Sequence, residues 1–524
     1  MLPPVMRRAA LLVLLLVLYL PALGNSASGT HPDEAWHLGT SAEMQAKGTW
    51  LTPTLDDAPN WYKPPLFYWS ERAAYMVLGT NLFAARLPSA LAWIAVVLLV
   101  LALGRRMYGE EAGLTAALLT ATAFGWVKYA RLAMMDAPMA LGLALAAYGT
   151  WRASEEDDPP WLLAVGAGAA MDFLIKGPVG AVLVLLLSGG FLLVRNRQLL
   201  LSRWTAGAFL LGALVGLPWY VASFAVHGQA FYDFFVVSQN YDRFAHPWTL
   251  RGEATLLVGF VVFSLPWTFL LLAGLRSLRS WREPGVLLPL AWMASVLVTF
   301  TVPSLKWPHY GLTAIPAAML LAARLPPPRW ARAATGATLA IVAVAALLAQ
   351  RWPLPWVPAL ALAGAALAFG ASAALAFRGR LAPSAGAAGA AFALLVVLVV
   401  PGVNPPALPP EAVPATAGRA LWLYDNTPGL FTLAAGRPVR RAWNPAEAER
   451  ALEAGGALIA SDAQLARLPP GVRERLVKLA HWRRIPGYLP EERAWRSWRD
   501  RDPEAVYEGM SIVALHVGKD TPFR

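Results

Sequence analysis

The sequence predicts a mainly α-helical polytopic membrane protein, a helix bundle of about thirteen spans with interfacial helices in its first outer loop, followed by a small C-terminal α/β domain. Three observations lead there. The 524-residue chain is 57% hydrophobic and only 15% charged, with 23 Trp, far more apolar than a soluble protein of this size. The apolar character fills residues 1 to about 403, whereas the stretch from "EAVPATAGRALWLYDN" onward has the balance of a soluble protein. Basic residues gather in short loops between apolar segments, as topology signals do. The boundaries drawn from this are 1–405 for the membrane domain and 415–524 for the soluble one.

A helical span needs ~20 mostly apolar residues, because a helix rises ~1.5 Å per residue across a hydrocarbon core ~30 Å thick. Thirteen stretches qualify, near 9–24, 82–104, 111–127, 132–151, 159–175, 177–194, 206–226, 254–275, 285–303, 309–323, 333–350, 354–377 and 385–403. The first also has the basic start and small residues of a secretory signal, and is read as a retained span. Arg7 and Arg8 hold the start inside, so the loops "GRRMYG", "WRASEEDDPPW", "RNRQLLLSRW", "RSLRSWREPG", "RLPPPRWAR" and "FRGRLAPS", nearly all rich in Arg, fall on the inner side. An odd number of spans then leaves the tail on the same outer side as the long loop 25–81.

The formal charge of +12 does not point to nucleic acid, since no Lys/Arg run is interleaved with exposed aromatics. With no Cys, disulfide frameworks, thiolate nucleophiles and Cys-ligated metal sites are excluded. Only seven of the 44 basic residues are Lys, and the five in the membrane domain (Lys47, Lys63, Lys128, Lys176, Lys306) all map to the outer side. Topology alone would make outward lysines scarce, so an anion at the outer face is expected.

The outer loops supply the rest of a pocket. The first contains "HPDEAWH", with Asp33 and Glu34 between His31 and His37, and "NWYKPPLFYW", where two prolines restrict the backbone after Lys63. Taken alone, Lys63 could equally snorkel to the interface. The second, "VKYARLAMMDAPMALG", has Asp136 opening a new span five residues after Arg131; an ionisable group there implies a polar cavity, or simply a helix N-terminal acid. In the third, "MDFLIKGPVG", Lys176 precedes a Gly-Pro break and lies one helical turn after Asp172, its alternative partner. The fourth brings Arg243 and His246 among aromatics, and the fifth, "VPSLKWPHYGLTAIP", brings Lys306, His309 and Tyr310. A shared outward cavity explains these cations and acids together, and a lipid-linked phosphate is its best guest, tail among helices and headgroup against Lys and Arg.

In their order, "HPDEAWH", "YKPPLFYW", "RLAMMDAP", "LIKGPVG", "QNYDRF" and "SLKWPHYGLTAIP" resemble the C-type membrane glycosyltransferases, in the branch of the lipid A aminoarabinose transferases and protein O-mannosyltransferases. The resemblance covers nearly the whole membrane domain. It implies a bacterial inner-membrane enzyme with a periplasmic site, a polyprenyl-phosphate sugar as donor and a lipid A-like glycolipid as acceptor, or a protein hydroxyl as the alternative. It implies Asp33 and Asp136 as the catalytic acids. Lys63 and Arg243 would hold the lipid phosphate, with Glu34, Arg131, Lys176, Lys306 and Tyr310 completing the substrate-binding set. Asp33 would orient an acceptor hydroxyl, or deprotonate it if its surroundings raise its pKa. The chain departs from the aminoarabinose branch at Tyr62 and Ser238, where that branch has Glu and His, so a metal shared by those two positions is not expected. His31, Asp33 and His37 do not share one helix face, and no metal site is assigned; a divalent cation is the one cofactor left open.

The tail alternates short apolar runs ("ALWLYD", "SIVALHV") with amphipathic helices, the pattern of a small α/β domain, and contains no nucleophile–base set. A transporter or flippase of a lipid-linked substrate is the competing class, but its binding groups would sit near the bilayer midplane in repeated halves. Here they cluster at one face.

Overall fold

A computed structural model describes residues 3–25, 31–242, 250–302, 307–351, 358–403, 407–484, 496–497, 499–500 and 502–516. Helices dominate it, and the one sheet of more than two strands lies in the C-terminal region, so the predicted class holds. The chain is a polytopic membrane protein. Helices Leu82–Tyr108, Pro178–Arg195, Arg203–Tyr241, Pro284–Thr301, Arg329–Ala349, Ala359–Phe377 and Leu381–Val399 are each long and apolar enough to cross a bilayer. The pair Ala254–Phe263 and Thr268–Gly274, bent by 108°, would add an eighth span.

The expected thirteen are therefore not matched one for one among the described residues. The stretches at 9–24, 111–127, 132–151, 159–175 and 309–323 fold as helices of 16, 12, 20, 15 and 10 residues that fall short of that measure in length or hydropathy. Hydropathy counts apolar length but does not register where the backbone breaks, as at Gly177-Pro178, where φ of +74° at glycine ends one helix and proline starts the next.

The elements that frame the site are α1 (Pro4–Tyr19), α2 (Pro32–Lys47), the hairpin β1 (Thr54–Leu55) and β2 (Ala58–Pro59), α3 (Leu66–Leu78), α4 (Leu82–Tyr108), α5 (Glu110–Ala121), α6 (Phe124–Tyr129), α7 (Asp136–Glu155), α8 (Leu162–Lys176) and α9 (Pro178–Arg195). Helix α2 is locally well specified. His31 caps it, its Nδ1 accepting the Asp33 N–H at 3.2 Å, Pro32 fixes the first turn, Asp33 and Glu34 complement the helix dipole, and Gly48 closes it with φ of +70°. Helices α7 and α8 approach to backbone contact: a Cβ on Gly168 would lie 2.4 Å from the Gly142 carbonyl oxygen. That pairing brings the start of α7, Asp136, beside the end of α8, Lys176.

The C-terminal sheet is mixed, with strand order β4-β3-β5-β7-β6 for β3 (Leu421–Tyr424), β4 (Val439–Ala442), β5 (Ala457–Ser461), β6 (Leu476–Arg484) and β7 (Glu508–Leu515). Strand β3 pairs in parallel with β4 and β5, and β7 runs antiparallel to β5 and β6. Helix Gly429–Ala435 rests directly on α2; a Cβ on Gly429 would lie 2.1 Å from the Ala35 carbonyl oxygen. One set of mutually packed buried apolar side chains runs from the membrane helices into Leu421, Ile459 and Ile512.

Candidate functional site

The adjacent carboxylates of α2 part company because successive helical residues point ~100° apart. Glu34 turns inward and is 0% exposed, while the Asp33 side chain stays 37% exposed. Glu34 receives both arms of Arg86, from Nε at 2.7 Å and from Nη2 at 3.1 Å, and the Ala133 N–H at 2.8 Å. Arg86 Nη1 reaches back to the carbonyls of Leu23 and Asn25 at 3.0 and 2.7 Å. Arg131 donates to the carbonyls of Leu18 and Pro21 at 2.8 and 2.5 Å, and Ser89 bridges to Met134. These bonds lash α2, α4, the end of α1 and the 130–135 turn together at one end of the bundle. Glu34 and Arg131, expected in the substrate-binding set, are occupied as struts of that assembly. A buried carboxylate requires such full compensation.

Asp33 faces a ring of histidines. His309 Nε2 lies 3.6 Å and His31 Nδ1 3.8 Å from Asp33 Oδ2. His309, 2% exposed, stands edge-on to His31 at 4.8 Å and stacks on Tyr129 at 5.6 Å. Burial opposes ionisation of Asp33, but His37, His309, His31 and Lys63 outweigh it and hold the carboxyl below its usual range. The condition for a poised general base, a raised pKa, is thus not met, and Asp33 is a standing negative charge.

Asp136, 3% exposed, lies within electrostatic reach of Lys176, Asp33, His31 and His37. The Lys176 ammonium sits over the Tyr310 ring at 4.2 Å and the Phe300 ring at 4.8 Å. Both predicted acids, Lys63, Lys176 and Tyr310 therefore meet at one end of the bundle, with His31, His37 and His309 between them. Arg243 and Lys306 lie outside the described residues. His309 is the contributor the sequence placed on the outer face without a role; distance along the chain hid its closeness to Asp33. His31, Asp33 and His309 offer ligand atoms all within 4.8 Å of one another, a donor set that suits a divalent cation. Neither the spacing of His31, Asp33 and His37 nor the residues Tyr62 and Ser238 point to this set, because His309 lies far along the chain.

His37 provides a pH test. It is 6% exposed, its ring against Phe67 at 5.5 Å and Tyr68 at 5.7 Å, and burial is the main cause that pulls its pKa down to about 4. A histidine with a folded pKa below its unfolded one contributes stability above the unfolded value and loses it as pH falls toward the folded one. The thermal midpoint should therefore drop between about pH 6.5 and 4, by a free-energy equivalent of up to ~3 kcal/mol. His37→Gln should flatten that slope in a pH series of melting curves; an unchanged slope refutes the assignment.

The comparisons with known proteins fit this geometry. The family model for dolichyl-phosphate-mannose-protein mannosyltransferases matches residues 62–221, a segment that contains Lys63, Asp136 and Lys176. An uncharacterized Aquifex aeolicus protein is 28% identical over 327 residues, 61% of this chain and 64% of its own length. The undecaprenyl phosphate-alpha-4-amino-4-deoxy-L-arabinose arabinosyl transferase 2 of Pseudomonas fluorescens is 29% identical over 328 residues, 59% of this chain and 58% of that one. The chain thus spans less than two thirds of the length of these curated relatives. Among solved structures, ArnT from Cupriavidus metallidurans superposes with TM-scores of 0.72 in the apo state and 0.70 with undecaprenyl phosphate, at 20% and 19% identity, covering 97% of both chains.

Proposed function

We propose that this chain, whose fold is that of the C-type membrane glycosyltransferases, moves a sugar from a polyprenyl-phosphate donor to a lipid A-like glycolipid at the periplasmic face of the bacterial inner membrane. The reading divides the chain into a catalytic membrane domain, 1–405, and a periplasmic C-terminal domain, 415–524. The observation that carries it is the meeting of Asp33 and Asp136 with Lys63 and Lys176 at one end of the bundle.

The chemistry follows from that set. The acceptor hydroxyl oxygen attacks the anomeric carbon, the bond from that carbon to the phosphate oxygen breaks, the departing polyprenyl phosphate gains a negative charge, and the acceptor's proton is released to water as the new bond forms. Lys63, Lys176, Arg243 and Lys306 stabilise that charge in a poorly solvated site. Asp33 accepts a hydrogen bond from the acceptor and aligns it, and Asp136 holds the sugar or Lys176 in register. The lipid tail has a place: an apolar groove of about 320 Å³ runs between α8, α9 and helix Arg203–Gly216, lined by Leu162, Val165, Ala169, Leu185 and Phe173. It ends one helical turn before Lys176.

The named relatives suggest an aminopentose as the sugar. A protein hydroxyl as acceptor is the second reading, and the mannosyltransferase family match over 62–221 favours it. Purified protein supplied with labelled undecaprenyl-phosphate aminoarabinose and membranes should place label in the lipid fraction. Label in protein selects the second reading, and no transfer to either fraction overturns both. Lys63→Ala should raise KM for the donor by at least about tenfold, as loss of one charge-assisted phosphate contact does; an unchanged donor KM removes Lys63 from the phosphate site.

A further inference from the structure

Next to Asp33 the surface carries aromatic rings that the transfer chemistry leaves unused. Trp36, three residues beyond Asp33, lies about 60° around α2 from it and ~4.5 Å along the axis. Its ring meets Tyr62, the neighbour of Lys63, at 5.5 Å and 57°, and Tyr62 meets Phe234 at 5.0 Å. On the other side Arg441, at the end of β4, is sandwiched: its guanidinium carbon is 4.7 Å from the Trp36 ring and 4.3 Å from the Trp443 ring. Arg441 Nε also donates to Asp56 in the β1–β2 turn at 2.5 Å, and the arginine side chain is only 7% exposed. Of the two rings it holds, Trp36 is half-buried and Trp443 is 51% exposed, and Tyr62 beyond Trp36 is 43% exposed.

A rigid ring left half in water has been withheld from the core, at the cost of burial energy that a Trp would otherwise contribute. Held aromatic rings offer a broad apolar face with little entropy left to lose, which suits the C–H face of a pyranose whose hydroxyls remain wet. The strip runs from α2 beside Asp33 to Trp443, just past β4 of the C-terminal sheet, so its guest is a sugar presented on the side of that sheet.

We propose that Trp36, Tyr62 and Trp443, with Arg441 fixing two of them, form a stacking platform for the acceptor's carbohydrate headgroup, assembled half from the first outer loop and half from the C-terminal sheet. It rests on the transferase reading and adds to it the place where the acceptor binds. Arg441 is a positioning residue and the three rings are the contacts. The C-terminal domain, which had no assigned role, completes the acceptor site.

The test uses full-length protein in nanodiscs and, as probe, the water-soluble phosphorylated glucosamine disaccharide of deacylated lipid A, whose binding does not involve membrane partition. Trp443→Ala should weaken its Kd by about tenfold and raise acceptor KM equally, with kcat, donor KM and melting temperature within about twofold or a degree of wild type. Trp443→Phe should restore most of the loss. Wild-type affinity for the disaccharide in Trp443→Ala, no disaccharide binding by the wild type, or a lowered melting temperature with unchanged acceptor KM would each overturn the platform; the last would leave the stack as a domain clamp. Disaccharide binding lost in Trp443→Ala while the wild type transfers no sugar would keep the platform and sink the transferase reading. Sugar transfer that is indifferent to Trp443 would do the reverse.

Discussion

Arg86→Ala should be the most damaging single substitution at the site end of the bundle. Both members of the Glu34–Arg86 pair are fully buried, and the guanidinium also satisfies the carbonyls of Leu23 and Asn25. Removing it leaves a carboxylate in a dry interior with one remaining donor, the Ala133 N–H. Breaking a buried pair from one side costs ~3–5 kcal/mol, a large part of the stability of an ordinary domain. Loss of detergent-solubilised monodisperse protein, or a melting temperature lowered by many degrees, is the expected result. The double variant Arg86→Met with Glu34→Gln should recover a substantial part of it, because no charge is then stranded. Near-wild-type melting of Arg86→Ala would show that water reaches Glu34.

Asp33→Asn should leave folding intact and cut transfer by about 10²–10³-fold, chiefly in kcat. The side chain is more than a third exposed, so the exchange strands nothing; what disappears is the standing charge among His31, His37 and His309. Because those histidines and Lys63 hold the Asp33 pKa down, the carboxylate persists as pH falls and is lost only below the usual carboxylate range. The wild-type rate should therefore show no Asp33-dependent inflection above about pH 4. An acidic limb centred near neutrality that vanishes in Asp33→Asn would mean that Asp33 is a titrating base after all.

The sequence made the helical class, the soluble tail and the one-sided collection of cations legible, because hydropathy and loop charge act locally. It also located Asp33, Lys63, Asp136, Lys176 and Tyr310 at a common end, since topology alone places outer loops together. It misassigned the inward half of the acid pair. Glu34 was expected in the substrate-binding set, and the arginine buried near the start of α4 shows it to be a strut. That arginine was visible as a lone charge inside an apolar run, which is itself a call for a partner. His309 and Arg441 needed the fold, because their partners lie far away in the chain and no spacing rule links them.

Helix α2 is gripped from below by Arg86 and from above by Gly429, and these hands arrive at very different moments of synthesis. While the ribosome is still working, Glu34 can be shut away once α4 and the turn after α6 are in place, but the upper face of α2 stays bare until Gly429, about 300 residues later, has emerged. A product ended before Gly429 would thus insert as an incomplete vessel, and its maturation would be timed by the arrival of that segment.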